Sequence, residues 1–317
     1  MKIGLIDVDG HNYPNLPLMK ISAWHKAQGD SVEWYQPLFS GHCDKVYMSK
    51  VFSFTPDYEY FIDADVIEKG GTGYAIHLEN GKEVYDKSKD KNLPDEIEHI
   101  YPDYSLYPDM TKDTAYGFLT RGCPRGCDFC HVAPKEGRCS YKVADLSEFW
   151  RGQKYIVLCD PNILACKDHI ELLQQLVDSG AMVDFNQGLD IRLINERNIE
   201  LINKIKIKSI HFAFDRYQDK DLIEPKLRLF KEKAKNSHNV SVYILTNFDT
   251  TLEQDLYRIN LCRELRFNPY VMIYDKKHCS QLYSDLQQWA NNKLIFWTVD
   301  DFEYFRKNKS QIKHGKR

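Results

Sequence analysis

The segment TRGCPRGCDFCHV, residues 120–132, places three thiols, Cys123, Cys127 and Cys130, within eight residues at the spacing C-x3-C-x2-C. Loops this short let several cysteine sulfurs converge on one inorganic core, and thiolate is the soft ligand that an iron–sulfur cluster requires. Gly122, Pro124 and Gly126 favour a tight loop over a continuing helix. Three such ligands would leave one iron of a cluster without a protein thiolate. The same thiols could also belong to a zinc site completed by His131 or Cys139. A chance grouping of buried thiols does not account for the density.

Outward from this segment the chain repeats strand and helix. YGFLT (116–120) reads as a strand ending just before the cysteines. YIVLCD (155–160), MVDFNQ (182–187), SIHFAF (209–214), SVYILTN (241–247) and PYVMIYD (269–275) read as further strands. Helices are predicted over 168–179, 195–204, 225–235, 252–265 and 280–290, with one more short strand at LIFWT (294–298). Alternating β and α in one run implies parallel strands with right-handed crossovers. Six units fall short of the eight of a closed barrel, so an open, partial (β/α)6 barrel is expected, with function at the C-terminal strand ends. Those ends carry Asp160, Gln187, Asp190, Asp215, Asn247 and Asp275.

The first third reads as a small Rossmann-like α/β domain. Residues 2–8 form a strand candidate and 16–27 a helix, closed by Gly29-Asp30; 31–35 and 45–52 are further strands. The polar stretch at 80–96 reads as an exposed excursion, and PDYSLYPD (102–109) as a bridge. The resulting division is 1–108, 109–300 and a basic C-terminal tail at 301–317, whose end is expected to be frayed and solvated.

Composition is that of a globular protein, with 43% hydrophobic and 28% charged residues. A net charge of −3 gives no global pull toward nucleic acid or anionic lipid, though it leaves nucleic acid open as a partner. No segment approaches the length needed to span a bilayer, and no signal peptide is visible, so a cytoplasmic location is expected. Nine cysteines, mostly scattered, point away from a disulfide framework and toward metal or redox chemistry for the one tight cluster.

With its C-x3-C-x-F-C pattern, Phe129 preceding the last cysteine, the sequence resembles the radical S-adenosylmethionine (SAM) superfamily over about 114–298. The resemblance implies a [4Fe–4S] cluster on Cys123, Cys127 and Cys130, whose open iron chelates SAM. It further implies reductive cleavage of SAM to methionine and a 5′-deoxyadenosyl radical that acts on an unknown substrate, with flavodoxin or ferredoxin as electron donor. Phe129, Asp160, Asn162, Arg192 and Asn247 are the cofactor-binding candidates. Asp160 and Asn162 stand in LCDPNIL where many relatives carry a Gly-Gly-Glu type motif, and could instead form a turn that ends a strand. Arg192 would suit the SAM carboxylate, or could pair with Asp190 to stabilise a loop. The N-terminal domain is similar to the cobalamin-binding type, but the D-x-H-x-x-G pattern is absent and cobalamin is not expected. Two other functions remain open: a non-catalytic zinc or iron–sulfur module, and a cobalamin-dependent radical methyltransferase.

Overall fold

The computed structural model describes residues 1–79, 82–235 and 240–313. The protein is mixed α/β with parallel sheets, and it divides into two compact units, Met1–Pro161 and Asn162–Arg317. This division lies within the span that the sequence pattern assigns to the 109–300 domain.

In the first unit, strands Lys2–Asp7, Ser31–Trp34, Cys43–Ser49 and Ala64–Gly70 form a parallel sheet in the order second, first, third, fourth. The helix Leu16–Ala27 falls where its pattern predicts. The Asn15 side chain accepts from Leu18 N, Pro17 occupies the first turn, and His25 and Lys26 complement the helix dipole at the last. Leu18 and Ile21 of this helix pack on Ile3 and Leu5 of the central strand. Burying such side chains contributes roughly 1.5–3 kcal/mol each. On Ile6, Val46 and Met48 pack Tyr58 and Ile62, from the irregular segment before Ala64. A hairpin, Ile76–Glu79 with Lys82–Tyr85, occupies part of the stretch expected as an excursion; Asn80 and Gly81 lie outside the described residues. Strands Thr114–Gly117 and Tyr155–Leu158 then pair in parallel.

In the second unit, strands Met182–Phe185, Lys206–Ala213, Val240–Thr246 and Asn268–Ile273 pair in parallel and in sequence order. Helices Glu196–Ile202, Lys220–Lys233 and Leu252–Glu264 connect them. Ile210, Phe212, Val242, Ile244 and Val271 are fully buried and alternate with the less buried His211, Tyr243 and Tyr270, so one face of these strands packs into the core. Thr251 and Gln254 form a reciprocal capping box that starts the third of these helices.

Two expectations fail at the C-terminal end. LIFWT is not a strand but lies in the helix Lys293–Thr298, started by Asn292 accepting from Ile295 N. Its β-branched and aromatic composition suits a strand, but Ile295 and Phe296 are buried and Phe296 packs on Trp289 at 5.6 Å, so tertiary packing decides. The segment expected as a basic tail is helical over Phe302–Lys307 and Lys309–Lys313. Phe302 and Phe305 are buried there, and the Lys309 amine is hydrogen-bonded to Asp285. Residues 314–317, the rest of the tail, lie outside the described residues. Among the described residues no helix is long and apolar enough to cross a membrane.

Candidate metal centre

The three cysteines occupy an excursion closed at its base. Thr120–Arg121 pairs antiparallel with Tyr141–Lys142, so the chain leaves and returns at one place. Within it, Gly122 N donates to Glu136 Oε2 at 3.0 Å, Arg121 Nη1 to Glu136 Oε1 at 2.8 Å, and Cys123 N to Gly137 O at 3.2 Å. Cys130 N donates to Cys127 O at 3.0 Å, forming a turn in which Phe129 is half-buried. Gly122 has φ +80°, and a Cβ there would stand 2.1 Å from the carbonyl oxygen of Cys139. Only glycine fits so close an approach. Cys123, Cys127 and Cys130 are all half-buried, whereas Cys139 is exposed.

The short helix Val132–Glu136 follows the last cysteine. Lys135 and Glu136 are both held: Glu136 by the two contacts above and the Lys135 amine by the Thr72 hydroxyl. Burial pushes the Lys135 amine below its ordinary range. His131, one candidate fourth ligand for zinc, directs Nε2 at Glu83 Oε2, 3.2 Å away.

The donor set fits an iron–sulfur cluster in its chemistry, with three soft thiols on a backbone held by named partners. Among the described residues no three His, Cys, Asp or Glu side chains are gathered closely enough to hold a metal as they stand. The fit therefore rests on the donors and on the held loop, not on a formed cage.

Asp160 belongs to the same unit and is buried. Its carboxylate accepts from Thr120 N at 2.6 Å, Thr120 Oγ1 at 2.7 Å and Leu119 N at 3.1 Å. Burial pushes its carboxyl up to about 6, although these hydrogen bonds and the nearby Arg121 pull it down. The side chain thus grips the entrance of the cysteine loop.

In the second unit, Asn162 Nδ2 donates to Asp190 Oδ2 at 3.1 Å, and Arg192 Nε donates to Asp190 Oδ1 at 2.7 Å. Arg192 Nη1 reaches Asp219 Oδ2 at 3.2 Å. The structure thus links two candidates, Asn162 and Arg192, through Asp190, and adds Asp219, which the sequence reading does not single out. Asn247 adopts φ +60° and donates Nδ2 to Tyr274 O at 2.9 Å, outside that chain of contacts. Gln187 is exposed.

Arg258 is a further residue that sequence reasoning misses. Fully buried, it donates to Phe214 O at 2.6 Å, Asp215 O at 2.7 Å and Leu245 O at 2.9 Å, and it pairs with Asp255. These carbonyls lie at or just beyond the C-terminal ends of two strands, and Asp215 Oδ1 accepts from Leu245 N at 2.9 Å. Burial raises the Asp215 carboxyl to about 6. One signal was available: Asp255, Arg258 and Cys262 share a stripe at helical spacing with buried Ile259.

A scan against protein-family models and a search of curated proteins both returned no match to this chain.

Proposed function

We propose that the chain is a radical SAM enzyme built on a partial (β/α)6 barrel, in which Cys123, Cys127 and Cys130 hold a [4Fe–4S] cluster. The observation that carries this reading is the thiol loop. It follows directly on a strand of a parallel α/β arrangement, is closed by its own strand pair, and is gripped at its entrance by Asp160. When bound, the cluster supplies one electron for cleavage of the SAM carbon–sulfur bond, giving methionine and a 5′-deoxyadenosyl radical.

The chain's own residues would then act as follows. Asp160 holds the backbone of Leu119 and Thr120, and so sets the direction in which Cys123 leaves the strand. That role differs from the one its position in LCDPNIL suggests, because its oxygens accept from that backbone. Arg192, oriented by Asp190 and Asp219, is the guanidinium proposed for the SAM carboxylate. Asn162, Asn247 and Phe129 are the remaining SAM-binding candidates, and flavodoxin or ferredoxin is the proposed electron source. Cobalamin has no part in this proposal.

Anaerobic reconstitution with iron and sulfide tests it. The expected product carries about four irons per chain, and its reduced-state electron paramagnetic resonance spectrum changes on adding SAM. It also releases 5′-deoxyadenosine. Cleavage that survives replacement of all three cysteines by alanine would sink the mechanism, and a single zinc per chain in place of iron would favour a binding module.

A further inference from the structure

A cleft of about 580 Å³ opens in the first unit, beside the C-terminal ends of strands Lys2–Asp7 and Ser31–Trp34. Its size lies within the roughly 300–1,000 Å³ typical of small-molecule sites. Parallel α/β sheets bind ligands outside the carboxyl ends of their strands, where the strand order reverses. This sheet reverses at its first strand, which has the second strand on one side and the third on the other.

The walls combine aromatic faces with carboxylates. His11 meets Trp34 edge-on at 4.3 Å between ring centroids, and Tyr58 meets Tyr60 at 5.4 Å. Asp7 is buried at the base and accepts from the Tyr107 hydroxyl at 2.7 Å, while Glu59 is exposed at the rim. Asp57 also borders the cleft but is matched by Lys69 at 2.8 Å. Asp7 is almost wholly enclosed, with His11 Nδ1 3.9 Å from its Oδ2, so the carboxylate exposed to a ligand is Glu59; among the described lining residues only His11 is basic.

One further feature separates this cleft from an ordinary surface hollow. His11 has φ +62°, a left-handed conformation rare outside glycine and concentrated at functional sites.

We infer that this cleft binds an organic cation with a flat or apolar body. Aromatic faces attract a cation through their quadrupole, and the exposed Glu59 carboxylate, with Asp7 enclosed at the base, selects for positive charge. The inference uses no residue of the cysteine loop, so it stands or falls separately from the radical chemistry.

Three probes with one ring and three charges test it on the full chain: 1-methylnicotinamide (cation), nicotinamide (neutral) and nicotinate (anion). Titration calorimetry should rank them in that order of affinity. Glu59→Gln should narrow the preference for the cation over the neutral probe. Tyr60→Ala should weaken cation binding by about 2- to 30-fold. Both residues are exposed, so a folded variant is expected, and circular dichroism checks it. No binding of the cation at about 10 mM, equal binding of all three probes, or indifference to both substitutions would each overturn the assignment.

Discussion

The carboxylate of Asp160 accepts the backbone N–H of Thr120 at 2.6 Å, across forty residues of sequence and three residues ahead of Cys123. A buried side chain on one strand's exit thereby holds the exit of its neighbour, where the thiol loop begins.

Replacing Asp160 by Asn should loosen that hold. An amide of the same shape can accept through only one oxygen, and its NH2 group would face backbone donors. The expected cost is about 1–3 kcal/mol, read from urea denaturation, together with a lower iron content after reconstitution.

The raised carboxyl of Asp160 also sets a pH slope. Its folded value of about 6 lies above the ordinary 3.8, so the folded state binds the extra proton between these values. Its contribution to stability is fully present below about pH 4 and is lost as pH rises through about 6. Asp215 acts in the same direction. The wild-type minus Asp160→Asn difference isolates Asp160, and it should decline with rising pH across that window by roughly 2–3 kcal/mol.

Gly122→Ala should disrupt the loop far more than Gly137→Ala. Both glycines have positive φ, but a Cβ at Gly122 meets the Cys139 carbonyl at 2.1 Å, whereas one at Gly137 meets nothing within 4 Å. Gly137→Ala should cost about 1–3 kcal/mol from backbone strain alone. Faster reaction of the three loop thiols with a disulfide reagent should mark Gly122→Ala specifically.

Arg258→Met should destabilise the second unit by about 3–5 kcal/mol, because it leaves the Asp255 carboxylate and three carbonyls buried without their donor. Arg258→Lys should recover little, since an ammonium cannot reproduce the guanidinium fork. Chemical denaturation of both variants checks this.

His131→Ala separates the two metal readings. With three thiol ligands and an open iron, iron content should be unchanged within error. A marked loss of metal would instead make His131 a ligand and remove the open position on which the SAM proposal depends.

Local signals carried far in the sequence. The helix Leu16–Ala27 was legible from its apolar spacing and from Gly29-Asp30 beyond its end, whereas its Asn15 cap shows only in the structure. The thiol triplet was legible because all its members lie in one loop. LIFWT misled because its composition reports what a half-buried surface favours, and a helix packed on Trp289 offers such a surface too. The basic tail misled because its lysines and arginine draw attention away from Phe302 and Phe305.

By itself the sequence determined the parallel α/β class, the order of its strands and helices through most of the chain, and the presence of three thiols in one short loop. These depend on periodicity and spacing within a few residues. Only the tertiary structure decided what Asp160 and Arg258 do. Asp160 reaches Thr120 forty residues away and Arg258 reaches Phe214 and Asp215 more than forty away, and a buried charge takes its role from whichever backbone groups surround it. The tertiary structure likewise brought Asp7, Trp34 and Glu59 to one cleft. No local pattern announces that grouping, because it arises where separate strands end side by side.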